Sequence, residues 1–157
     1  MLEAENNIIK CLAEKFKTCD AETAAVSHHR VFLTIGTEEF LLALTTLKTE
    51  QGFEHLCAIT GLDTGEGYEF IYHIANGDGI LFNLKIKTPG GDGISIPSVL
   101  PIYNGATFYE LELQGLLGVT VIGLPKDRQY PLPDNWPQGQ YPGRKSWTSL
   151  TNKEQEA

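Results

Sequence analysis

The sequence predicts an α+β fold: a single domain with a mostly antiparallel sheet, helices on one face, and an extended proline-rich C-terminal arm. Three observations carry this reading. Segments rich in Ile, Leu, Phe and Tyr between residues 55 and 96 are divided by Gly65-Glu66-Gly67, Asn76-Gly77-Asp78-Gly79 and Pro89-Gly90-Gly91-Asp92-Gly93. Asn-Gly and Asp-Gly supply the positive φ angles of tight hairpins. Other stretches repeat apolar residues at helical spacing. Finally, five of the eight prolines fall between Pro125 and Pro142, where a fixed φ and a missing donor oppose regular structure.

The elements follow in order. Ile8, Ile9, Leu12 and Phe16 give an amphipathic helix over roughly 4–17. Two short strands are predicted at Ala24–Ser27 and Arg30–Ile35, with His28 and His29 at the turn. Thr37 reads as an N-cap, with Glu38 and Glu39 at the positive end of a helix that runs to about Lys48. That helix is expected to bury Phe40, Leu41, Leu44 and Leu47 and to end at Gln51-Gly52. The strands His55–Leu62, Tyr68–Ala75, Ile80–Thr88 and Gly93–Ile96 form an antiparallel meander. A last helix covers about Gly105–Leu117, closed by Gly118, and Val119–Ile122 follows it. The expected division is a body over 1–122, a docking arm over 123–147 and a flexible tail over 148–157.

Composition narrows the function classes. At 157 residues and 41% hydrophobic, the chain supports one ordinary core. A net charge of −8 argues against nucleic acid and anionic membrane surfaces, which recruit basic patches. The balance is uneven: residues 1–120 hold 7 basic and 16 acidic side chains, residues 121–157 hold 5 and 4. A slightly basic arm on an acidic body suits docking against an acidic partner. No run approaches a membrane span, and the acidic N-terminus differs from secretory and transit peptides, so a cytosolic address is expected. Cys11, Cys19 and Cys57 are scattered and read as reduced, mostly buried thiols. Three cysteines fall short of the four that an iron–sulfur cluster normally takes, so no cofactor or metal is expected in this chain.

The chemistry-bearing candidates lie on the last helix and the arm. On a wheel advancing about 100° per residue, Phe108, Tyr109, Leu113, Leu116 and Leu117 span one half. Glu112 falls inside that arc and Glu110 at its edge. A buried carboxylate needs a cation. Either Arg128, Arg144 or Lys145 pairs with Glu112 internally, or the pair forms across a subunit interface. General acid–base catalysis by Glu110 and Glu112 lacks a histidine, nucleophile or phosphate loop beside them. His28, His29, His55 and His73 lack ligand spacing, and the glycine pairs lie between strands rather than at a dinucleotide loop. Trp136, Trp147, Tyr130 and Tyr141 give the arm a docking composition.

From about Leu56 to Lys145 the chain resembles the 30 kDa subunit family of respiratory complex I and its hydrogenase relatives. Ile59-Thr60-Gly61-Leu62-Asp63, Phe70-Ile71-Tyr72-His73, Ile96-Pro97-Ser98-Val99 and Ala106-Thr107-Phe108-Tyr109-Glu110-Leu111-Glu112 carry the match in the body. In the arm, Gly123-Leu124-Pro125-Lys126-Asp127-Arg128, Leu132-Pro133-Asp134-Asn135-Trp136 and Pro137-Gln138-Gly139-Gln140-Tyr141-Pro142-Gly143-Arg144-Lys145 resemble the family's terminus. The tyrosine before Pro142 and the short length look most like the version in membrane-bound energy-converting [NiFe] hydrogenases. Leu111, Gly115 and Leu124 depart from the family's arginine, aspartate and histidine, which points to rewired ion pairs in a diverged, hydrogenase-type subunit.

The resemblance implies a domain without redox centres that packs on the large catalytic subunit, next to the small iron–sulfur subunit. It places the chain peripherally on the cytoplasmic side of the membrane, linked to the membrane subunits indirectly. The [NiFe] centre and iron–sulfur clusters are then expected in partner subunits, in a complex that oxidises ferredoxin, evolves hydrogen and translocates ions. The equivalent subunit of an NADH- or ferredoxin–quinone oxidoreductase is the alternative. A free-standing protein-binding module is the third.

Overall fold

A computed structural model describes residues 2–124 and 130–148. Helix α1 (Glu3–Lys15) leads into the hairpin β1 (Asp20–Ser27) and β2 (Arg30–Thr34), and α2 (Phe40–Gln51) follows. Strands β3 (His55–Asp63), β4 (Gly67–Ala75) and β5 (Leu81–Pro89) form the meander, and β6 (Ser95–Pro97), α3 (Thr107–Leu117) and β7 (Thr120–Ile122) complete the body. The main sheet has the order β1-β2-β5-β4-β3.

Period-two alternation builds this sheet. In β4, Tyr68, Phe70, Tyr72 and Ile74 are buried while the residues between them are half-exposed. Phe82, Leu84 and Ile86 of β5 and Val31 and Leu33 of β2 continue the same layer. Ile8, Ile9 and Leu12 of α1 and Phe40, Ala43, Leu44 and Leu47 of α2 join the core. Phe40 meets Tyr72 with ring centroids 4.5 Å apart. On the opposite sheet face a polar chain crosses four strands. Thr60 Oγ1 lies 2.9 Å from His73 Nε2, His73 Nδ1 lies 2.6 Å from Asn83 Oδ1, and Asn83 Nδ2 donates to the Val31 carbonyl at 2.9 Å.

Four expectations change. The segment predicted as a fourth meander strand leaves the main sheet: β6 pairs in parallel with β7, Ile96 opposite Val121. The first hairpin joins the meander through a parallel pairing of β2 with β5, so the sheet is mixed although mostly antiparallel. Helix α2 starts at Phe40 after Glu39 rather than from Thr37, and buries Ala43 where Leu41 was expected. Positions 40, 43, 44 and 47 fall on one helical stripe, and residue 41 points off it. The cysteines are half-buried and free rather than mostly buried.

The turns follow the expected chemistry in part: Gly79 and Gly93 take positive φ, while Gly77 does not. His29 adopts φ 58° between β1 and β2, and its backbone N–H donates to the buried Glu5 carboxylate at 2.9 Å, pinning α1 to the hairpin. Asn76 Oδ1 accepts the N–H groups of Asp78 and Ile80, closing the β4–β5 turn.

A stapled helix and its arm: the candidate interface

Helix α3 is fastened to three elements. Its inward residues are Glu110, Leu111, Leu113 and Leu117. Glu110 is fully buried, and its carboxylate accepts the Val99 N–H at 2.6 Å and the Ser98 hydroxyl at 2.7 Å. Gln114 Oε1 accepts the Val121 N–H at 3.0 Å, so one helix holds β7 and the segment that leaves β6. Tyr109 donates its hydroxyl to the Cys57 carbonyl at 2.9 Å, beside the bulge in β3.

No cation stands on Glu110 among the described residues. Burial pushes its pKa up, and the Val99 and Ser98 donors oppose that rise. The buried Tyr72 hydroxyl has no hydrogen-bond partner among the described residues. Burial, helped by the Glu110 charge, raises its pKa far above the ordinary tyrosine value.

The wheel expectation is thereby corrected. Glu110, placed at the edge of the apolar arc, is the buried acid, and Glu112 is half-buried at the opposite side. Phe108, assigned to the apolar half, is 55% exposed, while Leu111 is buried. Apolar residues occur nearly all round α3, so the pattern alone gives no single inward direction.

Residues 130–148 turn back on the body. Gly115 sits under the Tyr130 carbonyl, where a Cβ would lie 2.3 Å from that oxygen. Gly118, at φ 70°, closes α3 beneath the Tyr141 ring, where a Cβ would lie 2.4 Å from a ring carbon. The Gly143 N–H donates to the Leu116 carbonyl at 2.9 Å, and Arg144 Nε donates to that of Leu117 at 2.6 Å. The guanidinium also meets Asp92 at 2.6 Å and lies 4.5 Å from the centre of the Tyr141 ring. A cation at the negative end of α3 suits the helix dipole. Lys145 donates its N–H to Asp63 and its ammonium to the Thr64 carbonyl. The N–H groups of Lys145 and Gly65 hold the Asp63 carboxyl below its usual range. Trp136 caps its own turn, Nε1 donating to the Gln140 carbonyl, and stacks 6.4 Å from Trp147.

An internal pair between Glu112 and Arg144 or Lys145 does not form, because both cations are engaged elsewhere. Arg128 lies outside the described residues. Glu112 instead lines a cleft of about 200 Å³ with Ile59, Thr60, Leu113, Leu116 and Gly143. Its carboxylate has no hydrogen bond or ion pair among the described residues. Sequence reasoning named Ser98 and Asp63 only within the family motifs, Phe108 there and on the helix wheel, Tyr130 only among the arm's aromatics and Asp92 only within a glycine turn. It missed the contacts that all of them make. The glycines at 115 and 118 were the available signal, since small residues three apart seat a crossing segment. Among the described residues, no group of three or more His, Cys, Asp or Glu side chains is placed to hold a metal ion. No described helix is long and apolar enough to cross a membrane.

The fold and site together define an α+β domain closed by a stapled helix and a folded-back arm. The chain belongs to the Respiratory-chain NADH dehydrogenase, 30 Kd subunit family, matched over residues 33–153. It is 30% identical over 149 residues to a subunit of the F(420)H(2) dehydrogenase of Methanosarcina mazei, covering 93% of each chain. Hydrogenase-4 component G of Escherichia coli is 39% identical over 54 residues, 34% of this chain and 10% of that protein. Formate hydrogenlyase subunit 5 of the same organism is 43% identical over 49 residues, 31% of this chain and 9% of that protein. Among solved structures, a chain of the archaeal membrane-bound sulfane sulfur reductase, a respiratory membrane complex, superposes with a TM-score of 0.82 at 25% identity. That match covers 98% of this chain and 91% of the other. The family resemblance read from the sequence therefore holds.

Proposed function

We propose that this chain is a non-catalytic structural and assembly subunit of a membrane-bound energy-converting [NiFe] hydrogenase. In this reading it sits peripherally on the cytoplasmic side, docks on the large catalytic subunit and lies beside the small iron–sulfur subunit. The [NiFe] centre and iron–sulfur clusters belong to those partner subunits, and this chain holds no redox centre but supports their assembly. The observation that carries the subunit role is the near full-length likeness to subunits of membrane oxidoreductase complexes. The hydrogenase branch is supported by the more identical, shorter matches to two hydrogenase-type proteins.

A second reading has its own support. The F(420)H(2) dehydrogenase protein matches over 93% of both chains, and the family is that of an NADH dehydrogenase subunit, which favours the equivalent subunit of a complex I-type oxidoreductase. Purifying the tagged chain from its native membranes separates the possibilities. Co-purification of a nickel-containing large subunit with ferredoxin-dependent hydrogen evolution is the expected result. A nickel-free complex that reduces quinone selects the second reading. A chain recovered soluble and alone overturns both and leaves a free-standing binding module.

A further inference from the structure

We propose that the cleft beside Glu112 receives one cationic side chain, an arginine or lysine, from an adjacent subunit. The inference rests on the subunit role above and adds what the partner must present. Glu112, a half-buried residue, lines the cleft together with Ile59, Leu113 and Leu116. Its carboxylate has no partner among the described residues. Glu110, two residues away, has two donors.

The chemistry of the occupant follows from the lining. Lysine and arginine bury aliphatic stems along apolar surface while presenting charge at the tip. A cleft of about 200 Å³ with leucine and isoleucine walls and one carboxylate matches that shape of side chain. The nearby cations of the arm are committed: Arg144 to Asp92 and the Leu117 carbonyl, Lys145 to the Thr64 carbonyl. With a net charge of −8, the chain complements a basic group brought from outside.

The same side of α3 carries exposed aromatics, the composition of an interface centre. Phe108 lies one helical turn before Glu112 and so shares its side of α3. It is 55% exposed and packs 5.2 Å, centre to centre, from Tyr130, itself 40% exposed. Exposed aromatics beside an unpaired charge concentrate binding energy when a partner desolvates them.

The test uses the full chain, tagged, in its complex from native membranes, with Glu112→Gln and Glu112→Lys. One readout is the amount of large subunit retained through a salt wash; the other is the melting temperature of the chain purified alone. Glu112→Lys is expected to lower retention roughly tenfold and Glu112→Gln by several-fold. Both isolated variants should melt within about 2 °C of wild type. Full retention by Glu112→Lys overturns the inference while leaving the subunit role standing. A drop of more than about 5 °C in the isolated Glu112→Gln chain overturns it too, because the cation then lies within this chain, Arg128 included. A wild-type chain that retains no other subunit removes the subunit role and this inference together.

Discussion

The inward and outward faces of α3 carry the same functional group to opposite ends. Glu110 points in, loses all contact with water and is met by the Val99 N–H and the Ser98 hydroxyl. Glu112 points out, keeps part of its hydration and lines a cleft with no partner among the described residues. The difference separates two uses of a carboxylate. One fixes the connection between β6 and α3 and belongs to the fold; the other is left open to a charge from outside the chain.

The sharpest way to break this comparison is to remove each acid in turn. Glu110→Ala strands a buried hydroxyl and a buried N–H and opens a cavity, so it should cost about 3 kcal/mol of stability. Glu112→Ala strands no group among the described residues and should stay within about 0.5 kcal/mol of wild type. Denaturant titration of both variants measures this, and equal losses would erase the distinction between the faces.

The arm offers a smaller effect. Gly118→Ala forces a side chain into a left-handed backbone and against the Tyr141 ring, 2.4 Å from the new Cβ. The expected cost is about 1–2 kcal/mol. It should appear as faster hydrogen exchange at the Gly143 and Arg144 amides, which bond to the Leu116 and Tyr141 carbonyls. Gly105→Ala is the control, because its Cβ would meet nothing within 4 Å. Unchanged exchange in Gly118→Ala would mean that the arm does not rest on the end of α3.

Legibility from sequence divides along the same boundary. The meander was readable because its strands are apolar-rich, β4 alternating strictly, and are divided by glycine-containing turns, with Gly65 and Gly79 at positive φ. The helix ends at Gly52 and Gly118 were readable for the same conformational reason. The β6–β7 pairing was not, because three-residue strands carry almost no period and their parallel partner lies across a whole helix. The orientation of α3 failed differently. Leu111, Leu113, Leu116 and Leu117 offer two overlapping apolar arcs, and the choice between them was made by Ser98 and Val99, which are distant in sequence and present their donors only once folded. Even so, the motif that carried the family resemblance runs through both acids, so the helix that matters was located before its polarity was known.

A last and smallest effect uses protons to compare Glu110 with Asp63, the carboxylate that ties the arm to β3. Burial raises the Glu110 pKa, so over the carboxylate range the folded state holds its proton longer than the unfolded chain. Its contribution to stability is therefore full below the unfolded value and is lost as pH rises through the folded one. Asp63 has the opposite sign. Donors from Lys145 and Gly65 lower its pKa, so its contribution is present above the unfolded value and disappears as pH falls through the folded one. Stability measured from acid to neutral pH should show wild type losing ground to Glu110→Gln as pH rises, and gaining ground on Asp63→Asn. Parallel curves for wild type and Glu110→Gln would show that the Val99 and Ser98 donors cancel the effect of burial on the inward acid.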